Sequence, residues 1–150
     1  EEIIVTEERL GTRLPPSYRN FLKVTNGLNN WHLGILGFYP VNEVNWFSQT
    51  HENWINIYLN SSRCDARIVI PDEAYFVYGE MQETYSFRVE YLASALQISM
   101  ADEGEVVLLN PEVISNGEWE AWIFSDHTGA SRHRSFSEMF QVNGLMGAWR

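Results

Sequence analysis

Glu118 and Glu120 are the residues of this sequence whose types and spacing could most directly do chemistry. On an extended strand, side chains two positions apart project from one face, roughly 6.5–7 Å from each other. Glycosidases use a pair of carboxylates near that separation. Two acidic residues at this spacing are more often the solvent-facing side of a strand, so a carboxylate-based hydrolase is kept only as an alternative interpretation.

The other reactive side chains do not form a recognisable catalytic or metal-binding set. Ser125-Asp126-His127 contains the three residue types of a hydrolase triad, but triads converge from separated segments of a chain. The four histidines and the single cysteine, Cys64, lack the spacing of a zinc site. We therefore expect a protein that is not an enzyme, with no catalytic residue, no metal and no cofactor.

Composition and charge exclude several further classes of protein. The 150 residues include 20 acidic and 10 basic side chains, a formal net charge of −10, and 45% of them are hydrophobic. This balance is typical of one globular domain, which we expect to span residues 1–150. The charge argues against a nucleic-acid partner, because phosphates are bound by Lys and Arg. The lone cysteine fits a reducing cytoplasm.

The longest aliphatic run covers only residues 106–109. A transmembrane helix needs about 20 apolar residues, so we expect no membrane partner.

The negative charge is concentrated in the middle of the chain. Residues 65–126 hold thirteen acidic side chains and only two basic ones, a net charge of −11. A field of this sign can accelerate encounter with a basic partner. Solubility alone would also account for it.

Helices are predicted at both ends of the chain and once between them. A helix over Ile3–Leu10 should end at Gly11, and Pro15-Pro16 should begin a second helix that buries Tyr18, Phe21 and Leu22. A third is predicted over Trp46–Leu59. Ser135-x-x-Glu138 has the form of a capping box and predicts a C-terminal helix.

Strands are predicted from the enrichment in β-formers and from turn residues. The predicted strands are Gly34–Tyr39, Tyr75–Tyr78, Ser86–Leu92, Leu96–Met100, Glu105–Leu109 and Glu118–Phe124. The fourth and fifth should form an antiparallel hairpin. The order of the elements predicts an α+β domain whose mainly antiparallel sheet is flanked by N-terminal helices and a C-terminal helix.

The last predicted strand is apolar on both faces in its second half. Trp122 and Phe124 continue the face that begins with Glu118 and Glu120. Packing of a helix over that face is the simpler interpretation. A partly exposed Trp122 at a recognition surface is the alternative.

Two stretches resemble a known family. Leu10-Gly11-x-x-Leu14-Pro15-x-x-Tyr18-x-x-Phe21-Leu22, followed by Asn26-Gly27, resembles the N-terminal signature of the SUKH superfamily. That superfamily includes the yeast Smi/Knr cell-wall regulators and many bacterial immunity proteins. The stretch from Leu109-Asn110-Pro111 through Gly117-Glu118-Trp119-Glu120-Ala121-Trp122 to Arg132-x-Arg134-Ser135-Phe136-x-Glu138-Met139 resembles its bacterial members.

The resemblance implies an immunity protein that binds and neutralises a cognate protein toxin, often a nuclease in this family. An acidic face would occlude the basic active-site surface of the toxin. The acidic candidates for that contact are Glu73, Glu80, Glu83, Asp102, Glu103, Glu105, Glu118 and Glu120, with Trp122 or Tyr78 as an apolar anchor. A regulatory scaffold of the Smi/Knr type is the alternative that the same resemblance allows.

Overall fold

A computed structural model describes residues 1–32, 36–60, 68–101 and 104–148, without the side chains of residues 29–32, 36 and 144–148. The helices are α1 (Glu2–Leu10), α2 (Pro16–Val24), α3 (Phe47–Thr50), α4 (Glu52–Leu59), α5 (Asp72–Tyr75) and α6 (Phe136–Ala148). The strands are β1 (Leu28–His32), β2 (Leu36–Phe38), β3 (Asn45–Trp46), β4 (Leu96–Gln97), β5 (Glu105–Ser115), β6 (Glu118–Ser125) and β7 (Gly129–His133). Short 3-10 helices cover Val41–Glu43, Gly79–Met81 and Val89–Ser94.

The strands form an antiparallel sheet in the order β3-β4-β5-β6-β7, beside a separate β1-β2 hairpin. The sheet is covered on both faces. Val107 and Leu109 pack with α1, α2 and α6, whereas Val106 and Leu108 pack with α3, α4 and α5. Alternate residues of one strand therefore belong to two separate cores. The predicted α+β class, with helices from both ends of the chain against an antiparallel sheet, is confirmed.

The N-terminal helices follow the local signals in the sequence. Gly11 adopts a φ of 75° and its amide donates to the Glu7 carbonyl, which ends α1. Pro16 occupies the first turn of α2, where its missing amide costs no helical hydrogen bond. The Glu7 carboxylate accepts from the Arg19 guanidinium (2.9 Å) and from the Leu14 amide (2.7 Å), so it joins the two helices and their linker.

The predicted capping box of the C-terminal helix is present with one change. The Ser135 hydroxyl oxygen accepts from the Glu138 amide at 3.0 Å, as the motif requires. The Glu138 carboxylate accepts from the Arg134 amide at 2.7 Å, one residue before the usual position.

The predicted helix over Trp46–Leu59 is wrong as one continuous element. Trp46 pairs with Leu96 in the sheet, and His51 separates α3 from α4 with a φ of −140°. The His51 ring lies 2.8 Å from the side-chain oxygen of Gln97. These contacts with β4 override a helical periodicity that the sequence does carry.

Two predicted strands are wrong for a shared reason. Tyr75–Tyr78 lies where α5 ends, and Ser86–Leu92 runs into the 3-10 helix at Val89–Ser94. The apolar and aromatic residues that favour a strand are buried here as a layer on top of the sheet, among them Tyr75, Phe87 and Leu92. Strand Gly34–Tyr39 is reduced to β2, and residues 33–35 lie outside the described part.

The hairpin between Leu96–Met100 and Glu105–Leu109 is confirmed through β4 and β5, which pair Leu96 with Leu109. The Glu118–Phe124 strand is confirmed as β6. The turn between β5 and β6 was not predicted, although its sequence carries a signal for it. Asn116-Gly117, with φ angles of 53° and 79°, connects β5 to β6, and Asn-Gly is a strong marker of two-residue hairpin turns.

Replacing Gly129 should destabilise the fold more than replacing Gly117. Both have positive φ, but a Cβ on Gly129 would lie 2.2 Å from the Thr84 carbonyl oxygen, whereas one on Gly117 meets nothing within 4 Å. We expect Gly117→Ala to cost about 1 kcal/mol of unfolding free energy and Gly129→Ala at least about 2 kcal/mol. Urea unfolding measures both, and equal losses would contradict the close approach of residue 84 to β7.

The acid limb of the stability curve should depend on Glu7. Burial opposes ionisation of its carboxyl, but hydrogen bonds from Arg19 and Leu14 outweigh burial and hold its pKa below the ordinary value. A lowered pKa adds stability above the unfolded-state pKa, and that stability is lost as pH falls through the folded-state pKa. The stability advantage of the wild type over Glu7→Gln should therefore be constant near neutral pH and shrink below about pH 4.5.

Urea unfolding at several pH values between neutral and about pH 3 measures this difference, with the exposed Glu8→Gln on the same helix as control. A difference between wild type and Glu7→Gln that stays constant, or grows as the pH falls, would contradict the role of Glu7.

Candidate partner-binding surface

The outer edge of β7 is covered by an irregular stretch of chain. The Gln82 side chain accepts from the Arg132 amide at 2.7 Å and donates to the Arg132 carbonyl at 2.9 Å. The Thr84 carbonyl accepts from the Ala130 amide at 2.8 Å. Contacts of 82 with 132 and of 84 with 130 run antiparallel, so this stretch takes the place that a further strand would occupy. We call residues 71–86 the covering segment.

The residues beside these contacts face solvent. Met81 is 82% exposed and Tyr85 is 55% exposed. Glu80, which precedes Met81, and Glu83, which lies between Met81 and Tyr85 in the sequence, are exposed as well. We call these four residues the edge surface. In the described part of the chain neither glutamate has an ion-pair partner; Glu83 accepts only a hydrogen bond from the Ser86 hydroxyl. The edge surface thus combines two exposed carboxylates, neither with an ion-pair partner among the described residues, with the large side chains of Met81 and Tyr85.

A third predicted carboxylate, that of Glu105, belongs to the end of β5 that lies next to the end of β6. Glu105 stands opposite Ser125 in the pairing of β5 with β6. The turn that follows Ser125 is held by the Tyr85 hydroxyl, which donates to the His127 carbonyl. Glu105 and Tyr85 therefore flank the same β6–β7 turn. Asp102 and Glu103, which were predicted with Glu105, lie outside the described residues.

Glu118 lies at the opposite end of β6 from Ser125, and its carboxylate binds the start of a helix. It is seven residues from Ser125, which on a strand is about 23 Å. Its carboxylate accepts from the Ser17 amide (2.8 Å) and the Ser17 hydroxyl (2.7 Å) at the start of α2. The Ser17 hydroxyl accepts in turn from the Ser137 amide of α6. Glu118 thus caps helix N-termini, where a negative charge is favourable.

Glu120 is fully buried beneath the covering segment. Its carboxylate accepts from the hydroxyls of Tyr75 and Tyr78, from the Trp122 indole at 2.6 Å and from the Asn110 amide group at 3.2 Å. Burial, together with the neighbouring Glu120 charge, raises the pKa of Tyr75 and that of Tyr78 above the ordinary value. Both hydroxyls therefore stay protonated and able to donate at neutral pH.

Arg132 completes this buried cluster. Its guanidinium lies 4.0 Å from the Glu120 carboxylate and 4.2 Å from the centre of the Tyr75 ring. It donates to the carbonyls of Tyr75 and Ser86, two residues of the covering segment. Arg132 is itself almost fully buried, so its charge serves the interior of the protein and not its surface.

Direct partner contacts by Glu120 and Trp122 are therefore a wrong prediction. Both side chains are 0% exposed, because the covering segment lies over the face of β6 from which they project. The sequence held a signal for this: Glu120 shares a strand face with two large apolar residues. Glu73, Glu80 and Glu83 are exposed, Glu105 is half-buried, and their contact with a partner stays a prediction. The predicted anchor Tyr78 is half-buried, with the Arg134 guanidinium 4.7 Å from its ring centre.

The Glu118 and Glu120 carboxylates are engaged at different places in the fold. One binds the start of α2 and the other binds donors on β5, β6 and the covering segment. Each is already engaged by protein groups, and they serve different elements.

A second open feature is a groove of about 590 Å³ between α2 and α6. Its floor is apolar and its rim carries hydroxyl and amide side chains; the lining includes Phe21, Val24, Phe136, Phe140, Ser17 and Gln141. It lies on the Glu118 side of the sheet, where Ser17 joins the two helices.

Comparison with protein families identifies the chain. The model of the SMI1 / KNR4 family (SUKH-1) matches residues 1–142. The chain belongs to the SMI1/KNR4 family. The match covers α1, α2, the whole sheet and the start of α6, which contain both stretches on which the SUKH resemblance was based. No significant match is found among curated proteins or among solved structures.

Two further properties concern the described residues of this SMI1/KNR4 protein. None of their helices is both long and apolar enough to cross a bilayer. No three His, Cys, Asp or Glu side chains among them are grouped so that they could hold a metal ion.

Proposed function

We propose that this SMI1/KNR4-family protein is an immunity-type binder that neutralises a basic protein toxin without being an enzyme. The observation that carries the proposal is the edge surface. Glu80 and Glu83 present carboxylates without a cationic partner among the described residues, beside the exposed Met81 and Tyr85. Two of the other candidate acids, Glu118 and Glu120, are engaged by the fold.

Charge complementarity explains how such a surface would neutralise a toxin. A nuclease binds phosphate through Lys and Arg, and carboxylates can form charge-assisted hydrogen bonds with the same groups. The net charge of −10 would steer the encounter, so that carboxylates raise the association rate. Met and Tyr are enriched in the cores of interfaces and would provide the desolvated centre. Occlusion of the toxin's substrate site then follows from docking alone.

The decisive test is co-expression with the product of the adjacent gene, scored for cell survival and for co-purification. Survival together with a stable complex supports the immunity assignment. A complex that forms without any toxicity to suppress would favour a regulatory scaffold of the Smi/Knr type, and the absence of both would reject the proposal.

Charge reversal of the edge surface should abolish protection. We expect Glu80→Lys/Glu83→Lys to slow association with the adjacent-gene product by about tenfold or more at low salt, because it replaces attraction with repulsion. The control Glu8→Lys/Glu52→Lys changes the net charge equally at two exposed sites on α1 and α4 and should protect the cells. Surface plasmon resonance measures the rate.

Wild-type association should also slow as salt rises, since charges are screened beyond about 8 Å at 0.15 M. Equal protection of the cells by both double variants would remove the edge surface as the contact. A wild-type association rate that does not depend on salt would remove the electrostatic mechanism and leave occlusion of the toxin standing.

A further inference from the structure

The covering segment is an irregular part of the chain that has to hold a defined shape. Within residues 71–86 the structure has α5 and a 3-10 helix at Gly79–Met81, and none of the described strands. Its hydrogen bonds to β7 involve the Gln82 side chain, the Thr84 carbonyl and the Arg132 guanidinium instead of a regular ladder. Such a segment can open at a lower free energy than the sheet beneath it.

Glu120 is one of the points at which the sheet holds this segment, and it is the acidic one. Two of the four groups that donate to its carboxylate, the hydroxyls of Tyr75 and Tyr78, belong to the covering segment. The other two, from Asn110 and Trp122, belong to β5 and β6. An ionised carboxylate is the side-chain group that accepts from all four without donating a hydrogen itself. The bond pattern therefore joins segment to sheet through one acidic side chain.

We infer that Glu120 is a positioning residue for the edge surface: its buried carboxylate fixes the covering segment, and with it Glu80 and Glu83, in the form that a partner recognises. The positioning of the segment stands on the hydrogen bonds alone. The consequence for partner recognition rests on the proposed function. Glu120 thus contributes to binding without contacting the partner, since it is fully buried.

Glu120→Gln changes the chemistry of this point while keeping its shape. An amide oxygen in the place of Oε1 can still accept from Tyr75, Asn110 and Trp122. The amide nitrogen in the place of Oε2 puts a donor opposite the Tyr78 hydroxyl and next to the Arg132 guanidinium. The buried Arg132 also loses its negative neighbour, which is strongly unfavourable.

Glu118→Gln is a matched control. It is the same substitution two residues away on the same strand, but the Glu118 carboxylate binds Ser17 on α2 and not the covering segment. A general effect of removing a carboxylate from β6 would be seen in both variants. An effect on the covering segment should be seen only with Glu120→Gln.

Native-state hydrogen exchange of the free protein, followed by mass spectrometry, tests the positioning. In Glu120→Gln we expect the amides of Phe76, Gln82 and Ser86, which bond within the covering segment, to exchange about tenfold faster or more, with smaller changes in α2 and α6. In Glu118→Gln we expect their rates to stay as in the wild type. Unchanged exchange in the Glu120 variant, or acceleration that is uniform along the chain, would overturn the inference.

Tyr78→Phe covers the case in which Glu120→Gln does not fold. It removes one donor at a half-buried position and leaves Glu120 and Arg132 together. Selective acceleration of exchange in the covering segment supports the inference in this variant also. Acceleration that is absent or uniform overturns it.

Association with the adjacent-gene product separates the two proposals. If the inference holds, Glu120→Gln slows association about tenfold or more although Glu80 and Glu83 of the edge surface are unchanged. Glu118→Gln should leave the association rate as in the wild type. Suppose that a Glu120 variant shows fast amide exchange in the covering segment and still associates at the wild-type rate. That result would overturn the role of Glu120 in partner recognition and leave the proposed function standing. Failure of the wild-type protein to bind would reject the proposed function, and the exchange result would still decide the positioning.

Discussion

The convergence of four hydrogen-bond donors on the buried Glu120 carboxylate is the interaction on which the shape of this molecule most depends. It joins β5 and β6 to a segment that has no strand ladder of its own, and it places a negative charge beside the buried Arg132. Hydrogen bonds in a buried and fully satisfied network of this kind are strong. The loss of one member leaves the polar groups that it bound buried without a hydrogen-bond partner. One of the eight acidic residues predicted to contact a partner is therefore part of the interior.

Three of the predicted carboxylates lie at separate places along β5 and β6. Glu118 binds the start of α2, Glu120 lies in the core, and Glu105 stands opposite Ser125 at the other end of β6. One patch containing all the predicted carboxylates is incompatible with this register, because the two ends of β6 are about 23 Å apart. Glu80 and Glu83 form a smaller exposed patch, which is the surface that we propose for a basic partner.

Local signals in the sequence were sufficient for the elements that they themselves determine. Gly11, Pro15-Pro16 and Ser135-x-x-Glu138 mark helix ends through backbone conformation and capping, which act within a few residues. The covering segment could not be predicted in that way. The Tyr75 and Tyr78 hydroxyls donate to Glu120, which lies 45 and 42 positions further along the chain. The aromatic residues that favour strands are equally suited to a layer packed on a sheet. The SUKH resemblance is confirmed at the level of the superfamily by the match to the SMI1/KNR4 family (SUKH-1), whereas the burial of Glu120 and Trp122 became visible only with the pairing of the strands.

The protection of backbone amides in the wild-type protein, with and without the adjacent-gene product bound, tests the central claim most directly. We expect slower exchange on binding in residues 77–86 and in the β6–β7 turn around His127, with exchange in the α2–α6 groove unchanged. Protection confined to the start of α2 and α6, with residues 77–86 exchanging as in the free protein, would contradict it.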